Sequence, residues 1–226
     1  MAITLLRTTC LAGALLALTT GCISYTVGMG AETTPAGERT TTNSVNVVPG
    51  TLHGSTGENT VPTRRPSVDT DFRFGIDDRT DVGFRLATYS GFMLTWKRQL
   101  GRIDSSATPE NRRRTALMLG GGLVNLGEHA SFEATLITSG KWTSAGQWYG
   151  AMRAIQVLPL SREAPQDDPV VGLSIGHLFG DRNSSIGPEI GVYYDRSVLG
   201  LNTNRIIVVP SLVVRRGGIP GFGRHR

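Results

Sequence analysis

His129, Ser131 and Glu133 are the residues of this chain whose types and spacing come nearest to chemistry. On a β-strand, side chains at i, i+2 and i+4 share one face, so a base, a hydroxyl nucleophile and a carboxylate would be neighbours there. Such a set could serve hydrolysis, with Ser131 as the nucleophile. The spacing argues against it. Cβ atoms two residues apart along a strand lie roughly 6–7 Å from each other, too far for a Ser–His hydrogen bond unless the strand bends. The expectation is a polar strand face without catalysis. The four histidines include no pair at metal-ligand spacing. Neither a metal site nor a cofactor is expected.

The elements that must carry these residues are strands. From Asp71 to Leu100 almost every second residue is apolar. Phe72, Phe74 and Ile76 oppose Asp71, Arg73, Gly75 and Asp77. After a turn-like Asp77-Asp78-Arg79-Thr80, Val82, Phe84 and Leu86 oppose Asp81, Gly83 and Arg85. Ser90-Gly91 makes a second break, and Phe92, Leu94 and Trp96 then oppose Met93, Thr95, Lys97 and Gln99. Period two predicts an antiparallel meander. Similar patterns continue over 115–126, 130–137, 147–158, 170–179, 186–195 and 205–214, with a possible first strand at 42–48. The expected fold is all-β, an up-and-down meander closing into a small barrel of about ten strands (8–12). Gly120-Gly121-Gly122 reads as a bulge, bend or close approach in a curved wall. Pro210 inside the last strand removes a ladder donor and favours an edge or a bulge.

Alternation by itself does not say which face meets what. The face opposite the apolar one mixes Gly and Ser with charges of both signs, as the crowded interior of a narrow barrel requires. Asp71, Arg73, Asp81, Arg85, Lys97 and Glu189 are therefore expected to point into the lumen, and Phe84, Leu86 and Leu94 toward lipid. Aromatics near strand ends (Tyr89, Trp96, Trp142, Trp148, Tyr149, Phe179, Tyr193, Tyr194) suit an interfacial girdle.

Composition agrees with this class. Glycine is in excess at 29 residues and only 18% of residues are charged, with no sustained helical period. The net charge of +5 is modest, and its arginine clusters carry no nucleic-acid motif, so loops or anionic headgroups are the expected surroundings. Thr8 to Leu18 is an apolar run of signal-peptide length, too short for an ordinary transmembrane helix. Cys10 lies inside that run, which leaves Cys22 as the one cysteine after cleavage. An unpaired thiol in an oxidising compartment calls for modification.

The junction Leu18-Thr19-Thr20-Gly21-Cys22 resembles a bacterial lipoprotein signal, with Thr19 where leucine is usual. The resemblance implies acylation of Cys22. The run Arg73-Phe74-Gly75-Ile76-Asp77-Asp78-Arg79-Thr80-Asp81-Val82-Gly83-Phe84-Arg85-Leu86, with Thr95-Trp96-Lys97 and Gly187-Pro188-Glu189-Ile190-Gly191-Val192-Tyr193, resembles strands of uncharacterised bacterial outer-membrane barrel proteins, some of them lipoproteins. That implies a fold and an outer-membrane location, and no activity. His129 and Ser131 distantly resemble the His-x-Ser arrangement of outer-membrane lipid A deacylases, here without the Asn that follows the serine there.

The expected organisation is a signal peptide over 1–21, a lipidated N-terminus and flexible linker over 22–66, a barrel over 67–216 and a basic Gly-rich tail over 217–226. The expected function is an outer-membrane-associated lipoprotein with an envelope-structural or minor transport role. Its partners would be membrane lipid, through Cys22 and the barrel wall, and the lipoprotein-processing and outer-membrane assembly machinery, with no nucleic acid. Two alternatives stand beside it: a lipid-tethered periplasmic barrel holding a hydrophobic ligand, and a lipid-modifying barrel hydrolase using Ser131.

Overall fold

Strict alternation commits each strand to two environments, one per face. In a computed structural model of the chain, ten antiparallel strands satisfy both by closing into a barrel. The structure describes residues 24–53, 60–87, 91–101, 113–124, 129–140, 142–160, 169–195 and 205–220. The strands are β1 (Glu38–His53), β2 (Thr60–Asp77), β3 (Thr80–Ala87), β4 (Gly91–Leu100), β5 (Arg114–Val124), β6 (His129–Ser139), β7 (Gln147–Pro159), β8 (Val170–Gly180), β9 (Ser184–Asp195) and β10 (Arg205–Pro220). Each pairs with its neighbour in sequence, and β10 closes on β1 from Glu38↔Pro220 to Asn46↔Ser211. Closure gives every strand a neighbour on both sides, the condition for a sheet to stand in lipid. Among the described residues no helix is long and apolar enough to cross a membrane.

One end of the barrel, called here the near end, carries the tight turns at 77–80 and 181–183, the start of β1 and the finish of β10. The first turn is stabilised by Asp77, whose carboxylate accepts the Arg79 N–H at 2.7 Å. That bond holds the Asp77 carboxyl below the usual carboxylate range. At the far end β5 finishes and β8 begins.

The outer face is apolar. Leu94, Met152, Ile175 and Ile206 are 59%, 60%, 64% and 69% exposed, far more contiguous apolar surface than a water-soluble monomer presents. The Phe72 and Phe84 rings stack at 4.7 Å across β2 and β3. Near the near end Trp148 and Phe179 are exposed outside the wall, with the Arg113 guanidinium 5.9 Å from the Trp148 ring. A soluble ligand-binding barrel would place this apolar set inside, so that alternative is overturned.

Several details differ from the sequence reading. Residues 22–66 are not simply a tether. Ser24–Thr34 is buried inside the barrel, and β1 and β2 occupy most of the remainder, so the boundary at 67 falls within β2. The polar composition that suggested a tether is instead satisfied by polar partners in the lumen. The tail boundary at 217 also falls within a strand, since β10 runs to Pro220. Pro210 sits opposite Ile190 of β9. On its other side the described ladder to β1 ends at Asn46↔Ser211, so Pro210 stands one residue beyond it, at a local edge of the kind a missing ladder donor favours. Gly120–Gly122 causes no register shift with β4 or β6. A Cβ at Gly122 would lie 2.0 Å from Phe92 O, so close backbone approach is the reason for that glycine. Tyr149 and Tyr193 are buried inside and belong to no girdle. Tyr89, Cys10, Cys22 and the 1–21 segment lie outside the described residues.

Candidate functional site

The barrel interior is the candidate site, and its walls are charged because their outer parity is apolar. Asp71 and Arg73 on β2, Asp81 and Arg85 on β3, Lys97 on β4 and Glu189 on β9 are all buried there. Toward the near end, Arg73 Nε donates to Asp81 Oδ1 at 2.8 Å and its Nη1 to Thr95 Oγ1 at 3.0 Å. Lys97 Nζ stands 3.4 Å from Asp81 Oδ2. Deeper in, Arg85 Nε donates to Asp71 Oδ2 at 3.1 Å, and Arg85 Nη1 lies 3.6 Å from Glu133 Oε2. Glu133 also accepts from Arg153 of β7. This group joins β3 to β6 and β7 across the lumen, beyond the reach of neighbouring-strand pairing. Buried ions without partners would cost several kcal/mol each, so such pairs hold one another in place.

Glu189 is held differently. Its carboxylate accepts the Tyr149 hydroxyl at 2.6 Å and two successive backbone N–H groups, Val27 at 2.8 Å and Gly28 at 2.7 Å. Those amides belong to Ser24–Thr34, an irregular segment running along the lumen. Toward the far end Tyr25 packs with Val124, Val170 and Ile207, and its carbonyl accepts from Tyr193. At mid-depth Val27, Met29 and Ala31 pack on Ala116, Met118 and Ile137. At the near end Thr33 donates to Asp78 O at 3.0 Å, and Thr34 N–H to Asp81 Oδ2 at 2.8 Å. A turn through Pro35 and Gly37 (φ 74°) then reverses the chain into β1, with Glu38 N–H donating to Pro35 O at 3.0 Å.

The segment therefore crosses most of the barrel's height. Its eleven residues span at most about 40 Å when extended, comparable with a hydrocarbon core of about 30 Å. The wall supplies the remaining backbone partners. Ser139 Oγ accepts the Ala31 N–H at 3.0 Å, Lys97 Nζ donates to Glu32 O at 2.7 Å, and Arg153 Nη1 donates to Ser24 O at 2.6 Å. Glu32 itself pairs with Arg114 at 2.5 Å and with Arg182 at 3.9 Å. Between Met29, Gly30, Arg73, Lys97 and Gln147 the remaining cavity is about 10 Å³. That is the room of a single water at most.

His129, Ser131 and Glu133 do share the inner face of β6, all buried. They are not brought together chemically. Glu133 is engaged by Arg153, while His129 Nδ1 and Ser131 Oγ have no hydrogen-bond partner. β6 pairs in regular register on both sides, so no bend closes the Ser–His gap. Among the described residues there is also no cluster suited to a metal ion.

Sequence reasoning missed Ser24–Thr34, Arg153, Tyr149 and Tyr193. For the segment the available signal was a stretch from 23 to 37 with Glu32 as its single charge and glycines at 28, 30 and 37. For Arg153 the signal was its parity, opposite to Met152 and Ala154.

No family model and no curated protein matches the chain. Among solved structures, the crystal structure of an outer-membrane channel from Pseudomonas putida F1 is similar at a TM-score of 0.50 and 8% identity, covering 83% of this chain and 97% of that one. The outer-membrane protein OprG from Pseudomonas aeruginosa aligns at a TM-score of 0.31 and 15% identity, over 82% and 95% of the two chains. The attachment invasion locus protein Ail of Yersinia pestis aligns at 0.25 and 10%, over 80% and 97%. The likeness is one of fold. The architecture is that of an outer-membrane β-barrel.

Proposed function

We propose that the chain is an integral outer-membrane barrel, anchored in addition by an acylated Cys22, that acts as a sealed structural component of the envelope. The single observation that carries this reading is the passage of Ser24–Thr34 through the lumen of a barrel whose outer face is apolar. The apolar wall suits lipid. The filled interior, with its cross-lumen pairs at Glu133 and its cavity of about 10 Å³ beside Gly30, opposes steady ion flow. Catalysis is not part of the reading, because Glu133, the carboxylate two residues on from Ser131, is engaged by arginine. Any passage of solute would require the lumen segment to move.

The test is reconstitution of the intact protein into planar bilayers. The expected record shows little or no steady conductance. A large, stable conductance would replace the sealed reading with that of an open pore.

A further inference from the structure

We infer that the lumen is a binding site for an extended polypeptide, specific for a Gly-x-Gly-x-carboxylate sequence, with Ser24–Thr34 as its resident occupant. The inference rests on the sealed-lumen reading and goes beyond it, since a plug need only fill space. This segment is recognised through its backbone. A strand would find its partners on a neighbouring backbone, but here wall side chains take that place. Glu189 receives the Val27 and Gly28 amides, Ser139 the Ala31 amide and Asp81 the Thr34 amide, while Lys97 and Arg153 donate to the Glu32 and Ser24 carbonyls. These bonds engage both amides and carbonyls of the segment and come from β3, β4, β6, β7 and β9. Side-chain carboxylates and cations bonded to peptide groups give charge-assisted bonds, stronger than neutral ones.

Three positions read sequence as well. Gly28 has φ 68°, a left-handed conformation that glycine adopts without penalty. It is this conformation that turns two successive amides onto one carboxylate. A Cβ at Gly30 would lie 2.4 Å from Gln147 Oε1 and 3.1 Å from Ser139 Oγ, so a side chain there displaces the groups that line the site. Two residues on, the Glu32 carboxylate meets Arg114 and Arg182 at the near-end mouth. At the remaining positions Tyr25, Val27, Met29 and Ala31 pack on the wall. A peptide with these three features, free of its covalent link to β1, would therefore meet the same partners.

The experiment introduces a protease site at Ala36–Gly37 in the otherwise full chain, folds it in detergent micelles and cleaves it. A fluorescent synthetic peptide of residues 24–35 is then titrated in. Saturable binding is expected, together with restored block of conductance in planar bilayers. The same peptide methylated on the Val27 and Gly28 nitrogens should bind at least about tenfold more weakly, given the loss of bonds to a charged group. Gly30→Ala should also bind more weakly, because its Cβ displaces Gln147 and Ser139. A deletion variant lacking Ser24–Pro35 provides an already empty lumen if the cleaved segment stays in place. Equal binding of native and methylated peptides would overturn the inference. So would absence of binding, or a cleaved segment that never exchanges combined with a deletion variant that cannot fold. Low conductance of the intact protein without peptide binding would reject this inference and leave the sealed barrel standing.

Discussion

Gly75 of β2 lies directly against the carbonyl of Pro35, where a Cβ would come within 1.9 Å of the oxygen. The contact forms where the lumen segment leaves the near end, and Gly37 N–H donates to Gly75 O at 3.1 Å beside it. The atoms that Cβ would meet, on Pro35 and Thr34, are all backbone, so a side chain at Gly75 forces the turn of the segment to shift. Gly75→Val should destabilise the folded protein by about 1–3 kcal/mol, the usual cost of overpacking. Gly121→Ala serves as the control, because its Cβ would meet Phe132 at an ordinary 3.6 Å. Thermal unfolding in micelles should separate the two, with only Gly75→Val lowering the midpoint.

The lumen charges make a second contrast. Glu133→Ala removes the carboxylate shared by Arg153 and Arg85, leaving buried cations without it. The expected loss is about 3–5 kcal/mol, as for breaking other buried pairs. Ser131→Ala removes a hydroxyl that bonds to nothing, so it should be close to neutral in stability. It should also leave the lipid composition of the envelope unchanged. A change in lipids that depends on Ser131 would bring the hydrolase alternative forward.

On the outer face, Leu94 is 59% exposed in the middle of β4. Arginine there should cost about 2–4 kcal/mol near the bilayer midplane. Asp78→Arg, at an exposed turn, should fold as well as wild type. Refolding into liposomes of both variants checks the assignment, and equal yields would remove the lipid-facing claim.

The anchor is tested apart from the barrel. Metabolic labelling with a palmitate analogue should mark the wild type and not Cys22→Ser. Equal incorporation in both would show that the lipid is not attached at Cys22.

Much of the wall was legible along the chain, because period two is a local property. Phe72, Arg73 and Phe74 must alternate faces wherever a strand forms, and a single shift would expose Arg73 and bury its neighbours. The same rule put His129, Ser131 and Glu133 on one face without saying who would partner them. Partnership was decided by closure, which brings Arg85 of β3 and Arg153 of β7 to one carboxylate on β6. The fate of Ser24–Thr34 was likewise beyond local pattern. Its composition lacks the apolar content to form a core alone, and that property is shared by a free tether and by an irregular segment held inside the lumen. Only the closed barrel, by setting Glu189, Ser139, Lys97 and Asp81 around one axis, distinguishes the two. Tyr149 and Tyr193 carry the same lesson: an aromatic near a strand end can face either side, and here the Glu189 carboxylate and the Tyr25 carbonyl draw both hydroxyls inward.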